Sequence, residues 1–275
     1  MAEAALALTL VSALGFSLSS RAKLLYRVGT IGLGAATLAL IALLVYRSVR
    51  ISFPALTGTY EGLLMLAAGI TAFLFISERT LLSGNRTILA AGSFAAFVFL
   101  AILNSPLIDA SLRPPVPILR SSWLVLHVAF AFIGLSLFAV GMIAGVVGLI
   151  RSDPKKTDTV RDRAVVLGFV FYATGGLVFG AIWAEAAWGR FWGWDPKETW
   201  ALITVVVYAV YLHVRYLRSS TQRTARVLAV VAWAVAIFTF FGVNYLFSGL
   251  HSYALQILPI SDPMRVASIA LPAVN

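Results

Sequence analysis

The sequence predicts an all-α membrane protein, a polytopic bundle of about eight transmembrane helices with an outward-facing tryptophan-rich loop. Three observations predict it. Of the 275 residues, 60% are hydrophobic and 12% are charged, and the mean hydropathy of +0.93 lies far outside the range of a soluble domain. The apolar residues fall in runs of about 20 between charged breaks, the length a helix needs to cross the hydrocarbon core, without the alternation of a barrel strand. Basic residues are shared unevenly between alternate loops. The chain has no cysteine, so any sulfur chemistry belongs to a partner. A net charge of +10 is explained by Arg- and Lys-rich loops at one face of a membrane, and no nucleic-acid partner is expected.

In chain order the expected spans are 4–19, 29–46, 60–77, 87–103, 121–150, 165–186, 196–217 and 226–248. The first is short. Its start, Met1-Ala2-Glu3, lacks the basic stretch of a cleavable signal peptide, so it is read as a retained helix. With the amino terminus outside, 14 basic residues fall on inner loops and seven (Arg47, Arg50, Arg113, Arg120, Arg190, Lys197 and Arg265) on outer segments. That bias places both termini on the non-cytoplasmic side. The connections 104–120 and 187–195 and the tail after Ser248 then open outward. The inner loop 151–163 reads as an ordinary charged connector, and there is no internal repeat or separate soluble domain.

The densest signal is WAEAAWGRFWGWDPKETW, Trp183 to Trp200, which holds five of the seven tryptophans in 18 residues. A membrane-interface belt scatters tryptophan over many helix ends. Here Trp188, Trp192 and Trp194 crowd one short loop beside two glycines, which suits a flat, apolar ligand. Asp195, Pro196 and Glu198 fit the N-cap, N1 and N3 positions of the seventh helix. That helix start directs a positive dipole end at the loop, and Arg190 and Lys197 can pair with ligand carboxylates or serve as interfacial charges.

The chain has three histidines. His127 follows RSSWLVL at the outer start of the fifth helix, and His251 lies in FSGLHSY past the outer end of the eighth. A lone histidine in such a chain is usually packed or interfacial. Two at matched depth beside a tryptophan loop favour axial ligation of heme iron. His213 lies 18 residues inward of Asp195, about 27 Å deeper at 1.5 Å per residue, so it cannot serve the same iron. A bis-histidine site at its level needs a partner subunit; otherwise it is an interfacial histidine flanked by arginine. Glu61 in TGTYEGLLML reads as a surface residue at a helix start, and Asn244 as a helix-to-helix hydrogen bond. No phosphate loop, zinc signature or Ser/His/Asp arrangement is present.

At WGRFWGWDPKETWALI the sequence resembles the WWD heme-handling proteins of cytochrome c assembly, and is most similar to the CcsA/ResC-type subunit of the two-component cytochrome c synthase. PPVPILRSSWLVLHV, the YLH ending at His213, and FFGVNYLFSGLHSYA extend the likeness in order from Pro114 to Ala254. It divides the chain into residues 1–110, which match loosely, and residues 111–275, the heme-handling core. The resemblance implies heme b held by His127 and His251 against Trp188, Trp192, Trp194 and Asp195, with Arg190 and Lys197 nearby. It implies that His213 binds heme on its way outward, beside a histidine from a CcsB/ResB-type membrane subunit. It also implies a holocytochrome c synthase subunit whose further partners are apocytochrome c, thiol-reducing proteins and membrane lipid. The expected location is the bacterial inner membrane, with the loop in the periplasm, ahead of a plastid thylakoid membrane. Glu185 departs from the asparagine the pattern expects. The alternatives are a subunit that loads a periplasmic heme chaperone, against which eight spans and His213 count, and a heme-free scaffold or permease. A permease predicts broken helices or paired half-repeats, and neither is evident.

Overall fold

A computed structural model of the chain describes residues 1–20, 22–151, 155–217, 221–247 and 249. Among these residues there are eight helical rods and no strand: α1 (Ala2–Leu18), α2 (Lys23–Ile51), α3 (Thr59–Ser77), α4 (Arg86–Leu103), α5 (Ser122–Ile150), α6 (Lys155–Trp188), α7 (Pro196–Tyr216) and α8 (Gln222–Leu246). Seven are long and apolar enough to cross a membrane; α1, at 17 residues, is shorter. His251 lies outside the described residues.

Helices α1 to α4 pack with their chain neighbours and α1 also against α4, while α5 to α8 form a second set. Short connections make chain neighbours antiparallel, and α3 and α4 against α5 join the sets. Close approach is bought with glycine: a Cβ on Gly15 would meet the Gly29 nitrogen of α2 at 2.8 Å. Helix α5 is the axis of the fold, 72% buried over its apolar window, whereas α7 is 17% buried.

The segment 151–163 is not the loose connector its charge suggests. Helix α6 begins at Lys155, about three turns ahead of the expected span, because its charges neutralise one another. Arg161 is fully buried and donates to Asp158 (2.6 Å), Asp162 (2.7 Å) and Gln222 (2.8 Å). Tyr211 of α7 donates to Asp162 at 2.7 Å, as does Arg215, and Arg226 of α8 donates to Asp158 at 2.6 Å. One cluster thus clamps α6, α7 and α8 at the end of the bundle far from the tryptophan loop.

Candidate functional site

The tryptophan-loop end holds a cavity of about 340 Å³ between α3, α5, α6, α7 and α8, roofed by residues 109–119. Local sequence explains each wall. Helix α7 starts at Asp195, whose carboxylate accepts the Lys197 N–H at 3.1 Å, while Glu198 accepts the Gly193 and Asp195 N–H groups at 2.7 and 3.2 Å. That reciprocal cap turns the loop across the cavity mouth.

Two helices widen where they line the cavity. In α6 the Gly180 N–H reaches back five residues to the Gly175 carbonyl, and in α8 the Val243 N–H reaches Phe238 in the same way. Such π turns add a residue to one turn and are common at functional sites. Gly180 and Tyr172 of α6 and Thr239 and Phe240 of α8 face the cavity from beside them.

His127 of α5 lines the cavity. Its Nδ1 lies 2.8 Å from the Gly175 carbonyl, which can only accept, so Nδ1 carries the proton and Nε2 the lone pair. Its ring stacks nearly parallel to Trp183, 8° between planes and 6.2 Å between centres.

The tryptophans do not form one plane. Trp183 and Trp192 line the cavity. Trp188 backs Trp183 edge-on at 4.8 Å. Trp194 takes a left-handed backbone (φ 55), stands edge-on to Trp192 at 5.7 Å and is 70% exposed. Arg190 is exposed with its guanidinium beside Gly193, outside the lining. Asp195 is buried but outside the cavity lining, its Oδ1 packed against Gly249. Lys197 does line the cavity, and its Nζ donates to Asn244 Oδ1 at 2.7 Å, the helix-to-helix bond expected of that asparagine. His213 is exposed in the last turn of α7, at the end away from the tryptophan loop, and Glu185 is exposed as well.

Glu61 is a cavity residue rather than a surface one. Arg47, counted above as an outer basic charge, is buried, and donates to Glu61 Oε1 through Nε (2.8 Å) and Nη2 (2.5 Å). The same guanidinium lies 4.1 Å from the Tyr60 ring centre and holds the roof through the Ala110 and Ser111 carbonyls at 3.0 and 3.2 Å. The sequence signal was an acid in TYEGL, one turn into an apolar helix, with an arginine 14 residues before it. Within the roof, Asp109 accepts hydrogen bonds from Ser111 and pairs with Arg113, which hold its carboxyl below the usual range.

The family model described as "Cytochrome C assembly protein" matches residues 56–251. A cytochrome c biogenesis protein CcsA of Synechococcus elongatus is 33% identical, covering 82% of this chain and 87% of that protein. The Chlamydomonas reinhardtii CcsA is 35% identical over 80% of this chain and 67% of its own length. Protein NrfI of Wolinella succinogenes is 35% identical over 72% of this chain, a match that spans 23% of that longer protein. Among solved structures, the cytochrome c heme lyase CcmF superposes with a TM-score of 0.70 at 17% identity, over 92% of this chain and 47% of that protein, a likeness of fold. The chain is therefore a multi-pass membrane protein that belongs to the cytochrome c assembly family, as a CcsA-type protein with a role in cytochrome c maturation.

Proposed function

We propose that the chain binds heme b as cargo in the cavity and presents it for thioether attachment to apocytochrome c, as a subunit of a cytochrome c synthase. The observation that carries this reading is His127, an imidazole held through Nδ1 by a backbone carbonyl in the wall of an aromatic chamber, the arrangement by which proteins orient a ligating histidine. The rest of the lining fits the same ligand. A volume of about 340 Å³ is within the range of small-molecule sites. Trp183, Trp192 and Phe240 offer ring faces and edges to a planar macrocycle. Lys197, whose described hydrogen-bond acceptor is a neutral amide, and the buried Trp192 Nε1–H, which has no acceptor among the described residues, suit the two propionates.

His251 supplies the second axial imidazole in this reading, and Trp188, Trp194, Asp195 and Arg190 support the loop rather than touch the ring. The chain's task is to hold heme in register with a C-x-x-C-H segment, which makes the addition effectively intramolecular. Each thiol S–H adds across a vinyl double bond, sulfur to one carbon and hydrogen to the other, with no net change of oxidation state. Other proteins keep those thiols reduced. His213, on the exposed side of α7, meets a CcsB/ResB-type subunit that brings a second histidine, and heme passes outward by that route. The loop faces the periplasm of a bacterial inner membrane.

Co-expression of the chain with a CcsB/ResB-type subunit and a C-x-x-C-H reporter tests this. The expected result is a reporter that keeps heme stain after denaturing electrophoresis with wild type and loses it with His127→Ala. A reporter that acquires heme only when a periplasmic heme chaperone is added transfers the function to carrier loading.

A further inference from the structure

We infer that the π turn of α6 is a positioning device for His127: the Gly175 carbonyl fixes the ring's tautomer and rotation, and the bare Gly180 gives the ring its seat. The inference rests on the proposed heme site and deepens it. In a regular helix the residue 175 carbonyl accepts from residue 179. Here it accepts from Gly180 instead, and its second lone pair takes the His127 Nδ1–H at 2.8 Å. Glycine is required at 175, and at 180 a side chain would crowd the ring. A Cβ on Gly175 would meet the Ala131 nitrogen and the Phe130 Cβ of α5 at 2.6 Å, so only glycine lets the carbonyl come this close to α5. A Cβ on Gly180 would meet His127 Nδ1 at 3.0 Å and Cε1 at 3.1 Å. With Trp183 stacked alongside, the imidazole is confined by a carbonyl, a glycine and an indole, three groups from one helix. A carbonyl on Nδ1–H also raises the basicity of Nε2, as outer partners of ligating histidines do.

The test compares wild type, Gly180→Ala, Val178→Ala and His127→Ala, each purified with the partner subunit. Heme retained per protein, spin state, reduction potential and thermal unfolding are measured. Alanine is the better helix former, so Gly180→Ala is expected to unfold no earlier than wild type. It is expected to retain heme about tenfold less well, to become partly high-spin with a higher potential, and to regain the low-spin spectrum with added imidazole. Val178, exposed in the same turn, is expected to tolerate alanine without effect. Wild-type spin state and potential in Gly180→Ala, with both lost in His127→Ala, overturn the positioning role and leave the heme site standing. A loss in Gly180→Ala that imidazole does not restore overturns it too. Wild type without heme, or His127→Ala indistinguishable from wild type, removes the heme site and the inference together.

Discussion

Two polar clusters, one near each end of the bundle, differ in how far they close on themselves. At the far end, Arg161, Asp158, Asp162, Arg215, Arg226, Tyr211 and Gln222 satisfy one another. At the tryptophan-loop end the Arg47 and Glu61 pair is closed in the same way, but Lys197 donates to a neutral amide and the Trp192 N–H is buried without an acceptor among the described residues. A network that closes on itself holds helices together. One left short of acceptors among the described residues is where the proposed reading seats the ligand's carboxylates.

That contrast predicts which substitutions damage the fold and which damage only ligand binding. The largest effect is expected from Arg161→Ala, which removes the fully buried cation shared by Asp158 and Asp162 and leaves them to Arg226 and Arg215 alone, at a cost of roughly 3–5 kcal/mol. Thermal unfolding in detergent should show the loss, while the surviving folded fraction keeps its heme spectrum. Arg47→Met comes next, at about 3 kcal/mol, because Glu61 loses its cation. Adding Glu61→Gln should restore most of the stability but not heme retention, since residues 109–111 stay untethered. Arg47→Met with unchanged retention would remove the roof from the account.

Lys197→Met should change the unfolding temperature little, the lost bond to Asn244 being offset by no longer burying an ammonium, and weaken heme retention about tenfold, or about 1.4 kcal/mol. A heme with esterified propionates should bind wild type as weakly as the variant and the variant no worse. Equal preference of both proteins for the free acid would assign the propionates elsewhere. The smallest effect concerns Asp109. Its carboxyl is held below the usual range mainly by the Ser111 N–H and hydroxyl, so its contribution to the roof is complete above the ordinary carboxylate pKa and lost as pH falls through the lowered value. Heme retention should therefore be flat from about pH 5 to 8 as far as Asp109 is concerned, and Asp109→Asn should leave it flat.

What was legible in the sequence followed from hydropathy and capping. The apolar runs gave the rods, and the Asp195, Pro196 and Glu198 spacing gave the start of α7 to the residue. Pairing over distance was not legible. Nothing local in Arg47 distinguishes a buried tether from a positive interfacial residue; only the folded approach of α2 to α3 brings it to Glu61. The charged start of α6 misled for the same reason, since Asp158 and Asp162 acquire their partners from α7 and α8. The π turns are invisible to a periodicity of 3.6: one runs between Gly175 and Gly180 and the other between Phe238 and Val243, with no residue type in common. The tryptophan cluster was obvious in number and silent on geometry, because the left-handed backbone at Trp194 turns its ring away from the cavity.

The measurement that tests the central claim most directly is the visible absorption spectrum of the detergent-purified protein with its partner subunit, for wild type and for His127→Ala/His251→Ala. A bis-histidine Soret and reduced α band in wild type, weakened or displaced in the double variant at unchanged protein yield, is the predicted result. Wild type with its partner and no heme would contradict the account and turn the chamber over to a scaffold or a permease.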